Sequence, residues 1–255
     1  MWSLRFSLFK DVARTLQHSV KGCEQTGSDR TSAVACRTWA CVTVAAGASL
    51  FAVQREASVK APRLILASRS PRRAELLARL GLEHTVQVPE VDESLVPGEG
   101  PAEAAQRLAR AKAEAARADG ALAIGCDTLV VHRGEILGKP VTREEAVAMV
   151  CRLKGEEHMV YTGVALAIPE HVESAVEATC VWFRSLDPRE CEEYVATEEP
   201  MDKAGAYGIQ GFGAAIVERI EGDYFNVMGL PIQRLLELFR RFGWRYAFGR
   251  LVELD

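Results

Sequence analysis

The sequence lacks the short motifs that mark the commonest nucleotide-binding, nucleophilic and zinc sites. It has no G-x-x-x-x-G-K-[ST] pattern, which excludes a P-loop, and no G-x-S-x-G pattern, which leaves Ser/His/Asp catalysis unsupported. Its seven cysteines form no C-x-x-C pair and its histidines show no metal-ligand spacing, so neither a zinc site nor a redox motif is indicated. We interpret the cysteines as free thiols in a reducing cytosol and expect a cytoplasmic protein.

A hydrophobic run long enough to cross a membrane is also missing. The uncharged run from Thr38 to Val53 is short and rich in alanine, glycine and threonine. A signal peptide would place its apolar region nearer to the start of the chain. Residues 1–60 show no sustained periodicity, and we interpret them as a poorly ordered extension, with an organellar targeting peptide as the alternative. Residues 61–255 are then the folded domain.

Charge is distributed unevenly along the chain. Residues 1–60 contain 8 of the 31 Lys and Arg and 4 of the 35 Asp and Glu, a net charge of +4. The remaining residues therefore contain 23 cations against 31 anions, a net charge of −8. An acidic main body argues against DNA or RNA as the principal partner. A small anionic ligand held by a few local cations is compatible with this distribution.

From residue 62 onward, the hydrophobic periodicity alternates between that of strands and that of helices. Ser70 before Pro71 predicts a capped helix start, and Thr142 with Glu145 predicts a capping box. Strands are predicted at 64–67, 84–91, 121–131, 136–137, 158–167, 175–183 and 214–220, and helices at 71–80, 101–119, 142–153, 187–194 and from about 231. This order predicts an α/β protein with a mixed sheet flanked by helices.

Asp127 is the clearest chemical anomaly in this pattern. Within Gly125-Cys126-Asp127-Thr128 it interrupts an apolar strand, where a carboxylate must be paired, hydrogen-bonded or bound to metal. We therefore favour a functional role for Asp127 over that of an acid satisfied by backbone N–H groups at a strand end. Glu93, just after the strand predicted at 84–91, is a second candidate, although acidic strand ends are usually solvated.

Two cation-bearing stretches are candidates for binding phosphate. In Ser68-Arg69-Ser70-Pro71-Arg72-Arg73, hydroxyls and arginines meet the start of a helix, whose free N–H groups and dipole favour anions. The alternative for this stretch is an ordinary cap followed by solvated arginines. In Gly138-Lys139-Pro140, glycine and proline fix the loop that presents the lysine. Lys112 lies on a highly charged helix, and its simplest interpretation is a solvated surface lysine.

The segment from Asp202 to Gly211 combines three glycines with a cation, an anion and an amide. Glycines let backbone N–H groups approach a ligand closely, and Lys203 supplies a point charge suited to phosphate. Gln210 offers both a donor and an acceptor, which reading the edge of a nucleobase requires. The alternative is a glycine-rich turn with a solvated lysine, and the two phosphate-type segments upstream make that alternative less favoured.

Carboxylates beside several cations suit the metal-assisted hydrolysis of a phosphoanhydride. Oxygen ligands such as those of Glu93 and Asp127 are the ones that Mg²⁺ or Mn²⁺ prefers, and the metal neutralises phosphate charge. A carboxylate can then orient or deprotonate a water molecule for in-line attack on phosphorus. The sequence thus favours an enzyme acting on a phosphorylated small molecule.

Together these motifs resemble those of Maf nucleotide pyrophosphatases. The resemblance extends from about Pro62 to Phe239 and rests on four ordered segments, at 66–73, 125–128, 138–140 and 202–211. It implies hydrolysis of a nucleoside triphosphate between its α- and β-phosphates with a divalent cation. It also implies an elongated α/β fold related to inosine triphosphatases, commonly dimeric, with a cleft between two lobes. Asp127 is then similar to the family's proton acceptor, and Glu93, Lys112 and Lys139 are similar to other residues of its site.

Three positions of this resemblance concern the base. In dTTP/UTP-type members the S-P-R, D-T and I-Q-G motifs determine specificity, and they match Arg72, Thr128 and Gln210. A glutamine suits the imide edge of a pyrimidine, since it can donate to a carbonyl and accept from the ring N–H. Two alternatives stay open: the 7-methyl-GTP-type branch, and a nucleotide-binding regulator of cell division, suggested by the family's older description as a septum-formation inhibitor.

Overall fold

The structure of the protein is a computed structural model that describes residues 61–255. The predictions for residues 1–60 lie outside the described residues. The strands are β1 (Arg63–Ala67), β2 (His84–Val86), β3 (Ala121–His132), β4 (Glu135–Leu137), β5 (Glu157–Ile168), β6 (His171–Phe183), β7 (Val217–Glu221), β8 (Trp244–Tyr246) and β9 (Leu251–Glu253). The α-helices are α1 (Pro71–Arg79), α2 (Pro101–Ala115), α3 (Arg143–Leu153), α4 (Pro188–Ala196), α5 (Tyr224–Val227) and α6 (Ile232–Arg241). Short 3₁₀ helices span Glu199–Asp202, Ala204–Ala206 and Gly211–Ala215.

The main sheet is mixed, as the sequence predicts. Its strand order is β2-β1-β3-β5-β6-β7, with β4 also paired to β3. β1 lies parallel to β2 and β3, whereas β3, β5, β6 and β7 pair antiparallel in succession. Asp127 of β3 lies opposite Gly163 of β5. The strand with the anomalous carboxylate is therefore a central strand, flanked on both sides.

Helix α2 packs very close to one face of the sheet because glycines lie beneath it. A Cβ atom at Gly125 would lie 2.1 Å from the carbonyl oxygen of Ala109, and one at Gly163 would lie 2.1 Å from that of Ala105. Both alanines are buried on α2. Lys112 lies about one turn after Ala109 on α2, so this close approach places it over the strand that contains Asp127.

Two larger hydrophobic clusters cover the other face of the sheet. One includes Leu66 of β1 and Leu77 of α1 together with α6, while the other includes Val150 of α3 and Phe183 of β6 together with α4. The predicted α/β fold with a mixed sheet and flanking helices is confirmed. Within residues 61–255, no helix is long and apolar enough to cross a membrane.

Two strand predictions are wrong in detail. β2 ends at Val86 rather than at 91, because Pro89 has no N–H group for the ladder and the chain leaves the sheet after Gln87. β3 is not interrupted by the segment around Asp127, since Gly125 to Thr128 all pair with β5. Asp127 therefore lies inside a regular strand, and its side chain is placed by the sheet register.

The remaining differences occur at helix and strand ends. α1 begins at Pro71 as predicted, but Ser70 makes no side-chain capping bond. The Thr142 hydroxyl accepts from the Glu145 amide, whereas the Glu145 carboxylate accepts from the Val141 amide, so only half of the predicted capping box forms. α2 ends at Ala115 rather than 119, and the strand predicted from 214 begins at 217, after a 3₁₀ helix. The β8–β9 hairpin after α6 was not predicted. Its Tyr246 hydroxyl donates to the Leu80 carbonyl at 2.8 Å, which attaches the hairpin to α1.

Candidate active site

The folded domain contains a cleft of about 710 Å³. Its walls come from the β1–α1 turn, the middle of β3, the loop after β4 and the glycine-rich segment that follows α4. Every site residue predicted from the sequence lines this cleft: Ser68, Ser70, Arg72, Arg73, Glu93, Lys112, Asp127, Thr128, Lys139, Lys203 and Gln210. Residues spread over more than 140 positions of the sequence thus face one space.

Lys112 connects the two candidate catalytic carboxylates. Its ammonium nitrogen lies 2.6 Å from Oδ1 of Asp127 and 2.8 Å from Oε1 of Glu93. The Lys112 and Asp127 side chains are only 12% and 11% exposed, so this ion pair is shielded from water. The interpretation of Lys112 as a solvated surface lysine is therefore wrong. The close packing of α2 on the sheet explains how a helix lysine reaches the centre of β3.

Nearby cations of the cleft hold Glu93 in its ionised form. Burial alone raises the pKa of Glu93, but the hydrogen bond and charge of Lys112, with smaller contributions from Lys139 and Arg69, bring that pKa below its ordinary value. Glu93 is thus a carboxylate at neutral pH, with its negative charge directed into the cleft.

Arg73 forms a buried clamp between several segments of the site. Its guanidinium donates four hydrogen bonds, to the carbonyl oxygens of Gly229 (2.6 Å) and Cys126 (2.9 Å) and to the hydroxyls of Ser68 (2.8 Å) and Thr128 (2.9 Å). An arginine has five N–H donors, so almost all of its capacity is used inside the protein. These bonds fix the β1–α1 turn and the loop before α6 against β3.

The substrate-binding role of Arg73 stays a prediction, and its internal hydrogen bonds indicate a positioning role as well. The side chain is buried at the wall of the cleft and donates to the Ser68 and Thr128 hydroxyls, so it positions both of them. The sequence contained a signal for this. Arg73 lies three and four residues before Leu76 and Leu77, which places it on the buried face of α1.

Asp202 joins the two segments that were predicted to bind phosphate. It accepts from Arg72 at 3.4 Å and from Lys203 at 2.6 Å. Burial raises the pKa of Asp202, but the hydrogen bond from Lys203 and the charge of Arg72 together bring it below its ordinary value. Asp202 is thus ionised at neutral pH and orients both cations. The sequence singled it out only as an anion of the glycine-rich segment.

The cleft is cationic although the described part of the chain is acidic overall. Six Lys and Arg side chains line it against three Asp and Glu side chains. Within residues 61–255, Arg69 and Lys139 are exposed cations of the cleft that form no ion pair. Arg69 was not chosen as a site residue from the sequence, although it stands within the Ser68–Arg73 segment. An anion entering the cleft meets these two free cations beside Glu93.

The glycine-rich segment is anchored from below by a buried pair. The Tyr207 hydroxyl lies 2.7 Å from Nε2 of His158, and the Phe183 ring packs edge-on against both rings. Burial lowers the pKa of His158 to about 3, and the charge of nearby His132 adds to this effect. His158 is therefore a neutral imidazole at physiological pH and supports the segment that presents Lys203 and Gln210.

We expect acid to destabilise the fold through His158. In the unfolded chain this residue takes up a proton below its ordinary pKa of 6.5, whereas in the folded protein it does so only near 3. The contribution of His158 to the free energy of unfolding is therefore complete above pH 6.5. As the pH falls from 6.5 towards 3, this contribution decreases by about 1.4 kcal/mol per pH unit.

Urea unfolding of the wild type and of His158→Gln at neutral pH and near pH 5 measures this contribution. The stability difference between the two proteins should narrow at the lower pH. His171→Gln, at an exposed position, is the control. A difference between wild type and His158→Gln that does not change with pH contradicts the neutral, buried imidazole.

Comparison with known proteins is consistent with this cleft. The family model described as Maf-like protein matches residues 63–242. A dTTP/UTP pyrophosphatase of Symbiobacterium thermophilum is 50% identical over 184 residues, which cover 71% of this chain and 95% of the relative. Relatives of the same name from Moorella thermoacetica and a Geobacillus species are 53% and 50% identical, cover 71% of this chain, and are themselves covered to 95% and 99%. The chain belongs to the Maf family.

Proposed function

We propose that this protein is a nucleoside triphosphate pyrophosphatase that hydrolyses dTTP and UTP to the monophosphate and pyrophosphate, and so clears these nucleotides from the cellular pool. The main support is the convergence of all eleven predicted site residues on one cleft with an excess of cations. The relatives that match most of the chain are named dTTP/UTP pyrophosphatases, which supports the same substrates.

The distribution of charge suggests how the nucleotide lies in the cleft. Arg69 and Lys139 are exposed, form no ion pair within the described residues and lie near Glu93, so we place the triphosphate beside them. Gln210 lies in the glycine-rich segment on another wall of the cleft, and we place the base there. Both its donor and its acceptor are needed for the imide edge of thymine or uracil.

Asp127 is the proposed proton acceptor. A water molecule held by its carboxylate attacks the α-phosphorus, the new phosphorus–oxygen bond forms, and the bond to the bridging oxygen of pyrophosphate breaks. The water proton passes to Asp127. Lys112 keeps the carboxylate oriented through its 2.6 Å contact, and the free cations stabilise the charge that develops on the departing pyrophosphate.

The carboxylates of Glu93 and Asp127 also fit a divalent cation. Both lie close together, since both contact the Lys112 ammonium group, at 2.8 and 2.6 Å. Within residues 61–255, no group of three or more His, Cys, Asp and Glu side chains stands ready to hold a metal ion. A Mg²⁺ or Mn²⁺ ion held by these two carboxylates would need further oxygen ligands from phosphate or water and would neutralise charge on the triphosphate. We propose Glu93 and Asp127 as the protein ligands.

Release of pyrophosphate from a panel of nucleotides, with Mg²⁺ or Mn²⁺, tests the proposed function. We expect turnover of dTTP and UTP and much weaker turnover of 7-methyl-GTP. Preferred turnover of 7-methyl-GTP would assign the protein to the methylated-purine type. Tight nucleotide binding without any turnover would instead support a nucleotide-binding regulator of cell division.

Gln210→Glu should reduce selectivity for pyrimidines more than it reduces the chemical step. The new carboxylate accepts hydrogen bonds but cannot donate one to a pyrimidine carbonyl, so we expect kcat/KM for dTTP to fall about 10-fold to 100-fold relative to that for dGTP. Steady-state kinetics with both nucleotides measure this ratio. Gln233→Glu, at an exposed position on α6, is the matched control. An unchanged substrate ranking in Gln210→Glu contradicts the base-reading role.

The domain organisation, oligomeric state, cellular location and partners of the protein stay predictions. The family match at residues 63–242 supports a single catalytic domain within residues 61–255. A homodimer and a cytoplasmic location follow from the family resemblance and from cysteine usage. We propose neither nucleic acid nor membrane as a partner, because the cationic surface of the cleft is local and the main body is acidic.

A further inference from the structure

Glu199 lies outside the cleft lining but contacts the backbone next to Gln210. Its Oε2 accepts a hydrogen bond from the Phe212 amide at 2.8 Å, and its Oε1 accepts one from the Gly213 amide at 2.9 Å. Both amides belong to the 3₁₀ helix Gly211–Ala215, which begins directly after Gln210. The carboxylate thus holds the chain immediately behind the proposed base-reading side chain.

The same carboxylate is tied to the chain on the other side of Gln210. The Tyr194 hydroxyl donates to Oε1 of Glu199 at 3.1 Å and accepts from the Gly208 amide at 3.2 Å. Burial raises the pKa of Tyr194 above its usual range, so the phenol keeps the proton that it donates. Backbone amides on both sides of Gln210 therefore donate hydrogen bonds to the linked side chains of Tyr194 and Glu199.

Close packing leaves this segment little freedom around the carboxylate. Gly211 has a φ of +64°, and a Cβ there would lie 2.2 Å from Oε2 of Glu199. A Cβ at Gly213 would lie 1.9 Å from the Gly208 carbonyl oxygen and 2.8 Å from the Tyr194 hydroxyl. The two glycines let the backbone fold around Glu199, which explains why the segment around Gln210 is rich in glycine.

Glu199 also reaches the phosphate side of the site through its backbone. Its carbonyl oxygen accepts a hydrogen bond from the ammonium group of Lys203, which also binds Asp202. Glu199 thus connects the backbone amides that follow Gln210 with the Lys203 ammonium group of the cleft. A rearrangement at Glu199 would move Gln210 while leaving Asp127, on β3, in place.

We propose that Glu199 is a positioning residue for nucleobase selection, whose carboxylate fixes the orientation of Gln210 through the backbone on both sides of it. This inference rests on the proposed function, because it assigns Glu199 to the selectivity of the same site. Glu199→Gln would leave one acceptor oxygen in place of two, and the new amide NH₂ group would face a backbone N–H.

Glu199→Gln should therefore lower the ratio of kcat/KM for dTTP to that for dGTP about tenfold, with kcat for dGTP within about twofold of the wild type. Tyr194→Phe, which removes only one hydroxyl, should lower the same ratio about threefold and serves if Glu199→Gln folds poorly. Glu192→Gln, at an exposed position on α4, is the matched control and should leave the ratio unchanged.

A double-mutant cycle separates positioning from general structural support. In a Gln210→Ala background, Glu199→Gln should change the ratio by less than about twofold, because the group that it positions is gone. An unchanged ratio in the single variant, an equal loss for both nucleotides, or a full effect in the Gln210→Ala background each overturns the inference.

The proposed function and this inference fail in different ways. A wild type that releases no pyrophosphate from dTTP or UTP refutes the proposed function. In that case the positioning role is decided by binding: the ratio of the Kd for dTTP to the Kd for dGTP is compared between the wild type and Glu199→Gln. A wild type that is active while Glu199→Gln keeps its selectivity refutes only the role of Glu199.

Discussion

Asp127→Asn should lower kcat for dTTP by about three orders of magnitude, which is the middle of the range for loss of a general base. Asparagine has nearly the shape of aspartate but cannot take up the proton of the attacking water. We expect the fold to persist, because Lys112 keeps its ion pair with Glu93 at 2.8 Å when the contact to position 127 weakens. Single-turnover measurements of dTMP formation test this expectation directly.

The control for this variant is Asp119→Asn, an exposed acid in the turn between α2 and β3. It should retain wild-type turnover. Thermal unfolding of Asp127→Asn should remain close to that of the wild type. Near-wild-type turnover of dTTP by Asp127→Asn would remove the proposed base from the mechanism.

Arg73→Met should destabilise the protein by about 3–5 kcal/mol, the largest stability effect that we expect from a side chain of the cleft. The substitution removes four hydrogen bonds and leaves two buried carbonyl oxygens without their donor. Arg73→Lys should recover little of this loss, because a single ammonium cannot reproduce the planar guanidinium geometry. Urea denaturation of the purified proteins measures the difference.

The neighbouring arginine provides the matched control. Arg72 is half-buried and makes one 3.4 Å contact with the exposed Asp202, so Arg72→Met should change stability by less than about 1 kcal/mol. It should still raise KM for dTTP, since Arg72 lines the cleft. Equal destabilisation by Arg72→Met and Arg73→Met would contradict the assignment of Arg73 as the clamp.

The fold was largely predictable because hydrophobic periodicity and caps mark most of its elements. The helix that starts at Pro71 and the capping interaction of Thr142 with Glu145 are found where the sequence placed them. The exposed alternation of residues 87–91 misled the prediction, since a sequence pattern does not show whether a neighbouring strand is present. The β8–β9 hairpin was missed because its strands are three residues long and pack only through tertiary contacts.

The sequence predicts which residues line the site better than it predicts what each of them does. Asp127 could be identified because a carboxylate inside an apolar strand needs a partner. Its pairing with Lys112 could not be predicted, because that pairing depends on how closely α2 approaches Gly125 and Gly163. Glu199 gave no signal, since its importance arises from bonds to backbone amides 13 and 14 residues away.

Hydrolysis of dTTP in heavy-oxygen water is the most direct test that this cleft attacks the α-phosphorus with Asp127 as the base. Mass spectrometry of the products shows which one receives the labelled oxygen atom. We predict label in dTMP and none in pyrophosphate for the wild type, with loss of both products in Asp127→Asn. Label in pyrophosphate, or release of dTDP with inorganic phosphate, would contradict the proposed reaction.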